Sequence, residues 1–211
     1  MKTRKFLSKL ISLLISFTCL FSFAISTNAT ENTSVLAGGC FWCLEHDLED
    51  IDGVLSVESG YSGGRIENPT YKNHQGHQEA VKVTFESAEI KFEDLLKSYF
   101  RNIDPFDGRG QFCDRGDSYR PVIFYNDLEQ KNIATLSVKE AAKELSVNSN
   151  KIAVRIQPKN VFWSAEDYHQ DYAKKNTLKY NFYRYSCQRD RRLDEVWGIN
   201  ARKGADWDEG A

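Results

Sequence analysis

Hydrophobic spacing along the chain changes period several times, and each change marks an element. Ser34 to Ala37 is a short apolar run that reads as a strand, ending at Gly38-Gly39. From Phe41 the apolar positions Phe41, Leu44, Leu48 and Ile51 fall on one helical face, and Asp52-Gly53 closes that helix. Val54 to Tyr61 reads as a second strand, followed by a turn at Ser62-Gly63-Gly64 and a polar loop over 65–78. Val81, Val83 and Phe85 alternate with Lys82, Thr84 and Glu86, the pattern of a half-buried strand. Phe92, Leu95, Leu96, Tyr99, Phe100 and Ile103 mark a second amphipathic helix, stopped at Asp104-Pro105.

A polar, glycine-rich stretch, "FDGRGQFCDRGDSYR", leads into the strand "PVIFY". Asp127 opens a long helix running to about Leu145, with Gln130 as its capping-box partner. "KIAVRIQP" alternates as a further strand. Ser164 and Asp167 form another N-terminal pair, predicting a helix through about Lys175. From about residue 177, "NFYRYSCQRDRRLDEVWG" shows no clean period, which predicts an extended tail lying over the domain. The order β-α-β-β-α-β, then α-β-α and a tail, begins with the split βαβ pattern of a sheet with helices packed on it.

The first 29 residues stand apart. Lys2, Arg4, Lys5 and Lys9 precede a charge-free run from Leu10 to Ala24, and small polar residues follow. This is the form of a secretory signal, with cleavage expected after Ala29. The run is too short for a comfortable membrane span. The protein is expected to be exported, to a bacterial periplasm rather than the cytoplasm. Residues 30–211 then form one domain, large enough for a real core. The signal carries four basic and no acidic residues, so 24 basic and 30 acidic residues remain, a charge of −6. That disfavours nucleic acid and anionic membranes, which need a basic face. "QRDRRL" around Arg191 reads as a solvated stretch of paired charges.

Four cysteines remain after the signal: Cys40, Cys43, Cys113 and Cys187. Cys40 follows a strand and a glycine pair and then opens a helix. A helix start offers free N–H groups and partial positive charge, which favour a thiolate. Cys40 therefore has the placement of a nucleophile, with a lowered pKa expected. The plain alternative is a small buried residue at a strand end. Phe41 and Trp42 either wall an apolar pocket beside the thiol or belong to the core. Tyr71, Glu79, Asp114 and Tyr119 sit on polar loops or strand ends that could converge above the sheet, offering a carboxylic acid and phenolic donors. Each taken alone is weak.

Six segments in order, "GGCFW", "GYSGG", "NPTY", "GHQEAVKV", "QFCDRGDSYR" and "YHQDY", resemble the peptide methionine sulfoxide reductase A family from about Ser34 to Gly198. The resemblance implies an α/β (α+β) fold, here a ferredoxin-like split βαβ two-layer sandwich with a mixed sheet. It implies reduction of the S epimer of methionine sulfoxide, free or in proteins. Cys40 then matches the nucleophile, which ends the first step as a sulfenic acid. Glu79 matches the acid, Tyr71 and Tyr119 phenols that hold the sulfoxide oxygen, and Asp114 a residue ordering that network. Phe41 and Trp42 match the apolar wall for the substrate methyl group. The resolving thiol is expected to be Cys187 first and Cys43 second, with Cys113 structural. A thioredoxin-type protein is the expected reductant, with no bound cofactor and no metal, and a monomer is expected.

Two departures stand out. Cys43 occupies a position where the family commonly has glycine, and the loop between Tyr71 and Glu79 is short. Two rivals follow from the residues alone. A thiol–disulfide oxidoreductase would use Cys40 and Cys43 as its redox pair. A metal module would use Cys40, Cys43 and His46 with His74, His77 or His169, but no fourth ligand is obvious.

Overall fold

The computed structural model describes residues 31–203, so the predicted signal lies outside the described residues. None of the described helices is long and apolar enough to cross a membrane. The opening elements follow the hydrophobic pattern: β1 (Glu31–Ala37), α1 (Phe41–Glu49), β2 (Val54–Ser62), β3 (Gln78–Glu86) and α2 (Phe92–Arg101). Two short strands, β4 (Gly110–Gln111) and β5 (Asp114–Arg115), pair within the glycine-rich stretch. Then come β6 (Val122–Tyr125), α3 (Leu128–Glu144), β7 (Arg155–Pro158) and β8 (Phe162–Ser164).

The main sheet has six strands in the order β7-β6-β1-β3-β2-β8. It is mixed: β1 pairs antiparallel with both β3 and β6, β2 pairs antiparallel with β3 and β8, and β6 runs parallel to β7. Side-chain alternation divides the core. Leu36, Val81, Val83, Phe85 and Ile123 join α1 and α2 in the main cluster. Their neighbours Val35, Ala37, Ala80, Val122 and Phe124 form a smaller cluster on the opposite face. The central strands are thus apolar on both sides, as expected of strands with neighbours on each edge and cover on each face.

The helix α3 starts where its sequence said. Asp127 Oδ1 accepts the Gln130 N–H at 2.8 Å. The reciprocal half of the box is displaced, because Gln130 Oε1 accepts from the Asn126 N–H and its amide donates to the Thr33 carbonyl. The cap therefore also ties α3 to β1.

Two expectations fail. Ser164 does not cap a helix. It closes β8, where it pairs with Gly60, and its hydroxyl donates to Glu58. A Cβ on Gly60 would lie 2.4 Å from the Trp163 carbonyl oxygen, so the glycine permits this close sixth strand. Helix follows only as a 3-10 turn over Asp167–His169 and one turn, α4 (Tyr172–Lys175). The tail, expected to be extended, is helical: α5 (Thr177–Ser186) and α6 (Arg189–Trp197), broken at Gln188 with φ +53°. Its buried stripe contains Tyr180, Arg189, Leu193 and Trp197, and the charged member hid the period. Trp197 Nε1 donates to the Ile103 carbonyl at 2.9 Å, fastening the tail to the end of α2.

Candidate active site

The site is built at the turn from β1 into α1. Gly39 has φ +89°, and a Cβ there would meet Gln111 at 2.8 Å. A Cβ on Gly38 would lie 2.7 Å from Ile103. The pair is therefore required both by backbone conformation and by close packing. Tyr99 Oη donates to the Ala37 carbonyl at 2.7 Å, and the Gly39 N–H donates to the Tyr119 carbonyl at 3.1 Å. Cys40 then sits at the N-cap of α1, its carbonyl accepting the Cys43 and Leu44 N–H groups.

Glu79, near the start of β3, is buried and reaches the same helix end. The Phe41 N–H donates to Glu79 Oε2 at 3.2 Å. Burial pushes the Glu79 carboxyl up to about 8, against the bonds from Phe41 and Tyr119 that favour its anion. It is an acid that keeps its proton at neutral pH.

The expected low pKa of Cys40 is overturned. Burial, followed by the hydrogen bond to Cys43 and the nearby Glu79 and Asp114 carboxyls, pushes this thiol well above its ordinary range. One of the N–H groups of the helix start, that of Phe41, is taken by Glu79. The second thiol behaves oppositely. Cys43 is lowered, first by the hydrogen bond from Cys40, with burial opposing and Arg189 assisting. Both thiols are buried and free.

The two remaining cysteines are elsewhere. Cys113 and Cys187 form a disulfide, Cα atoms 4.9 Å apart, joining the loop before Asp114 to the end of α5. Cys187, expected first as the partner of Cys40, is thus bonded to Cys113, and Cys43 is the thiol in contact with Cys40. The pairing follows from the helical tail, which brings residue 187 to the loop instead of leaving it free to range.

Aromatic groups flank the thiol. Phe41 is fully buried, whereas Trp42 is half-buried and stacks on Tyr172 with centroids 3.7 Å apart. Tyr71 remains 40% exposed, so the site opens on its side. Burial, then the Glu79 carboxyl, pushes the Tyr71 phenol up to about 12. Tyr119 is raised by burial and Glu79 likewise. Both phenols remain hydrogen-bond donors at any physiological pH. Asp114 Oδ2 accepts from Tyr183 Oη at 2.5 Å, and burial raises its pKa.

Several neighbours of the site had no part in the sequence reading, and His169 had a place only in the metal alternative. His169 is buried, accepts the Trp42 indole N–H at Nδ1 at 3.0 Å, and lies against Phe41 and Tyr71. Burial lowers its pKa, keeping the ring neutral as that bond requires. Glu166 accepts from Tyr61 Oη and from the Tyr71 N–H, both at 3.0 Å, pinning the Tyr71 loop. Tyr183, Arg184 and Arg189 come from the tail, and Asp47 from α1. Only "YHQDY" signalled any of these beforehand. Arg191, by contrast, is exposed and paired with Glu195, as its sequence implied. Cys40, Cys43 and His46 do not converge for a metal: His46 packs edge-on against Tyr180 and its Nδ1 lies 3.6 Å from Glu49.

A buried pair of free thiols at a helix start, beside a carboxyl whose pKa burial raises to about 8, is suited to thiol-based redox chemistry. A family model described as peptide methionine sulfoxide reductase matches residues 32–201. Peptide methionine sulfoxide reductase MsrA 2 of Caulobacter vibrioides is 50% identical over 83% of this chain and 89% of its own. The protein of that name from Staphylococcus aureus strain MW2 is 44% identical over 80% of this chain and 97% of its own. Methionine sulfoxide reductase A of Corynebacterium diphtheriae superposes with a TM-score of 0.64 and 28% identity, covering 70% of this chain and 76% of that one. The chain belongs to the peptide methionine sulfoxide reductase A family and is an oxidoreductase that reduces methionine sulfoxide.

Proposed function

We propose that the reaction runs through Cys40 as the nucleophile, with Glu79 as the acid. The observation that carries this reading is the buried Glu79 carboxyl, bonded to the residue after Cys40 and protonated up to a pH of about 8. Trp42, with Phe41 behind it, receives the substrate methyl group. Tyr71 and Tyr119 donate to the sulfoxide oxygen, and Asp114, held by Tyr183, orders the water around them. The Cys40 sulfur attacks the substrate sulfur while Glu79 protonates the oxygen. That oxygen passes to Cys40 as a sulfenic acid, and the thioether leaves as methionine. The substrate sulfur is reduced and Cys40 oxidised by two electrons; the sulfenic acid keeps the proton given by Glu79, and the thiol proton returns to Glu79. The S epimer is the expected substrate, since such enzymes divide the two epimers between them.

Resolution is assigned to Cys43, which attacks the sulfenic acid and releases water. This replaces Cys187 as first choice, because Cys43 is free and hydrogen-bonded to Cys40 while Cys187 is bonded to Cys113. A thioredoxin-like protein then opens the Cys40–Cys43 disulfide by thiol exchange. The strand order β6-β1-β3-β2, all antiparallel, supports reading the central sheet as a split βαβ sandwich. The basic, apolar N-terminal segment supports an enzyme that works outside the cytoplasm.

Mass spectrometry after one turnover with methionine S-sulfoxide tests the reading. One methionine per Cys40 and a Cys40–Cys43 link are expected. A Cys40–Cys187 link would reassign resolution. No methionine, with disulfide reductase activity intact, would favour a thiol–disulfide oxidoreductase instead.

A further inference from the structure

We propose that Arg189, reaching in from α6, is a positioning residue for the second half of the reaction, holding the Cys43 sulfur in the anionic form that attacks oxidised Cys40. The inference rests on the reading of Cys40 as nucleophile and Cys43 as resolver.

Arg189 is an arginine with almost no solvent contact. Its Nη2 donates to Asp47 Oδ2 at 3.2 Å and to the Asn102 carbonyl at 2.6 Å. Its Nη1 lies 3.6 Å from where a Cβ on Gly39 would be. The guanidinium therefore spans from the residue before Cys40 to Asp47. Cys43 and Asp47 are four residues apart on α1 and share one face, so the guanidinium runs along the face that carries Cys43. It is stacked on the Phe112 ring at 4.4 Å, and its Nε has no hydrogen-bond partner among the described residues.

The charged and titratable groups facing Cys43 are Cys40 and Asp47 of the α1 region, Glu79 of β3, Tyr180, Tyr183 and Arg184 of α5, and Arg189 of α6. Asp47 opposes a thiolate, but it is shared between Arg184 and Arg189. Glu79 is neutral below a pH of about 8. Arg189 outweighs both Asp47 and Arg184 in its effect on Cys43. In the resting enzyme the Cys40 thiol is the larger influence. Once Cys40 is a sulfenic acid that S–H donor is gone, and Arg189 is the main group left to favour the anion. In the step itself the Cys43–Cys40 sulfur–sulfur bond forms and the Cys40 S–O bond breaks. Cys43 is oxidised, Cys40 is reduced, and the departing hydroxide takes a proton from Glu79 to leave as water.

The experiment is single-turnover kinetics on the full chain with Arg189→Met and Arg189→Lys. In Arg189→Met the larger slowing is expected in disulfide formation rather than in the methionine burst, so that Cys40 sulfenic acid accumulates and is trapped by dimedone. Disulfide formation should slow about tenfold near neutral pH, the effect of one pKa unit on a thiolate population. It should recover at higher pH, and Arg189→Lys should restore part of the rate. A pH-independent slowing, or no slowing, overturns the proposal. Absence of a burst in the parent would instead defeat the reading of Cys40. Should Arg189→Met not fold, Cys40→Ala with Arg189 intact decides. There the Cβ shift of 13C-labelled Cys43 is expected to titrate below the ordinary thiol value of about 8.5, and titration at or above it overturns the proposal.

Discussion

The four cysteines of the described chain form two pairs in opposite settings. Cys40 and Cys43 lie buried at one helix start, reduced, in a shared hydrogen bond and between a protonated carboxyl and a buried guanidinium. Cys113 and Cys187 lie at the joint between a loop and the tail, bonded, with Cys113 exposed. The first pair is surrounded by groups whose charge changes what sulfur does. The second connects two segments 74 residues apart in sequence. The sulfur atoms are alike, and only their surroundings distinguish the two pairs.

The largest separation between the pairs comes from Cys40→Ser, which should reduce methionine formation to the uncatalysed level, measured by chromatography of the product. The equivalent change at Cys113 should leave the first-turnover burst intact, and loss of that burst would erase the distinction. Next, Glu79→Gln keeps the carboxamide shape but removes the acid, and should cost about 10²–10⁴-fold in the reductive half-reaction, the usual worth of a general acid. The pH dependence sharpens the same point. Glu79 must be protonated to act, so the burst rate should hold below a pH of about 8 and fall above it.

Stability follows with the same sign. The folded protein holds the Glu79 proton that the unfolded chain has already lost, so stability falls as pH rises from the ordinary carboxyl range to about 8. Thermal melts of Glu79→Gln should therefore gain on the parent as pH rises through that window. Smallest in its effect on chemistry is Cys113→Ser with Cys187→Ser. It should lower unfolding stability by about 2–4 kcal/mol, the typical worth of a disulfide, in denaturant titration without reductant. Added dithiothreitol should remove the difference from the parent.

The first half of the fold was legible because its elements bury plain hydrocarbon at regular spacing. Phe41, Leu44 and Leu48, and Val81, Val83 and Phe85, lie in the core as their periods required. The tail was illegible for the converse reason: its inner stripe includes Arg189, and polarity scored that position as outward. Ser164 carried a helix-start signal that the edge of β2 overrode by pairing with it. At the site, placement was readable and state was not. Cys40 and Glu79 could be located from their motifs, but not the direction of the Cys40 pKa.

By itself the chain order and spacing determined the central strands, the helices α1 to α3 and the glycine turn before Cys40, because those depend on local conformation and on residues adjacent in sequence; the family of reaction came from the resemblance of six short segments, not from any period. Only the tertiary structure decided which thiols pair, which carboxyl keeps its proton and where Arg189 points. Those outcomes depend on burial and on charges brought together from distant segments, and a field that reaches across space leaves no period along the chain.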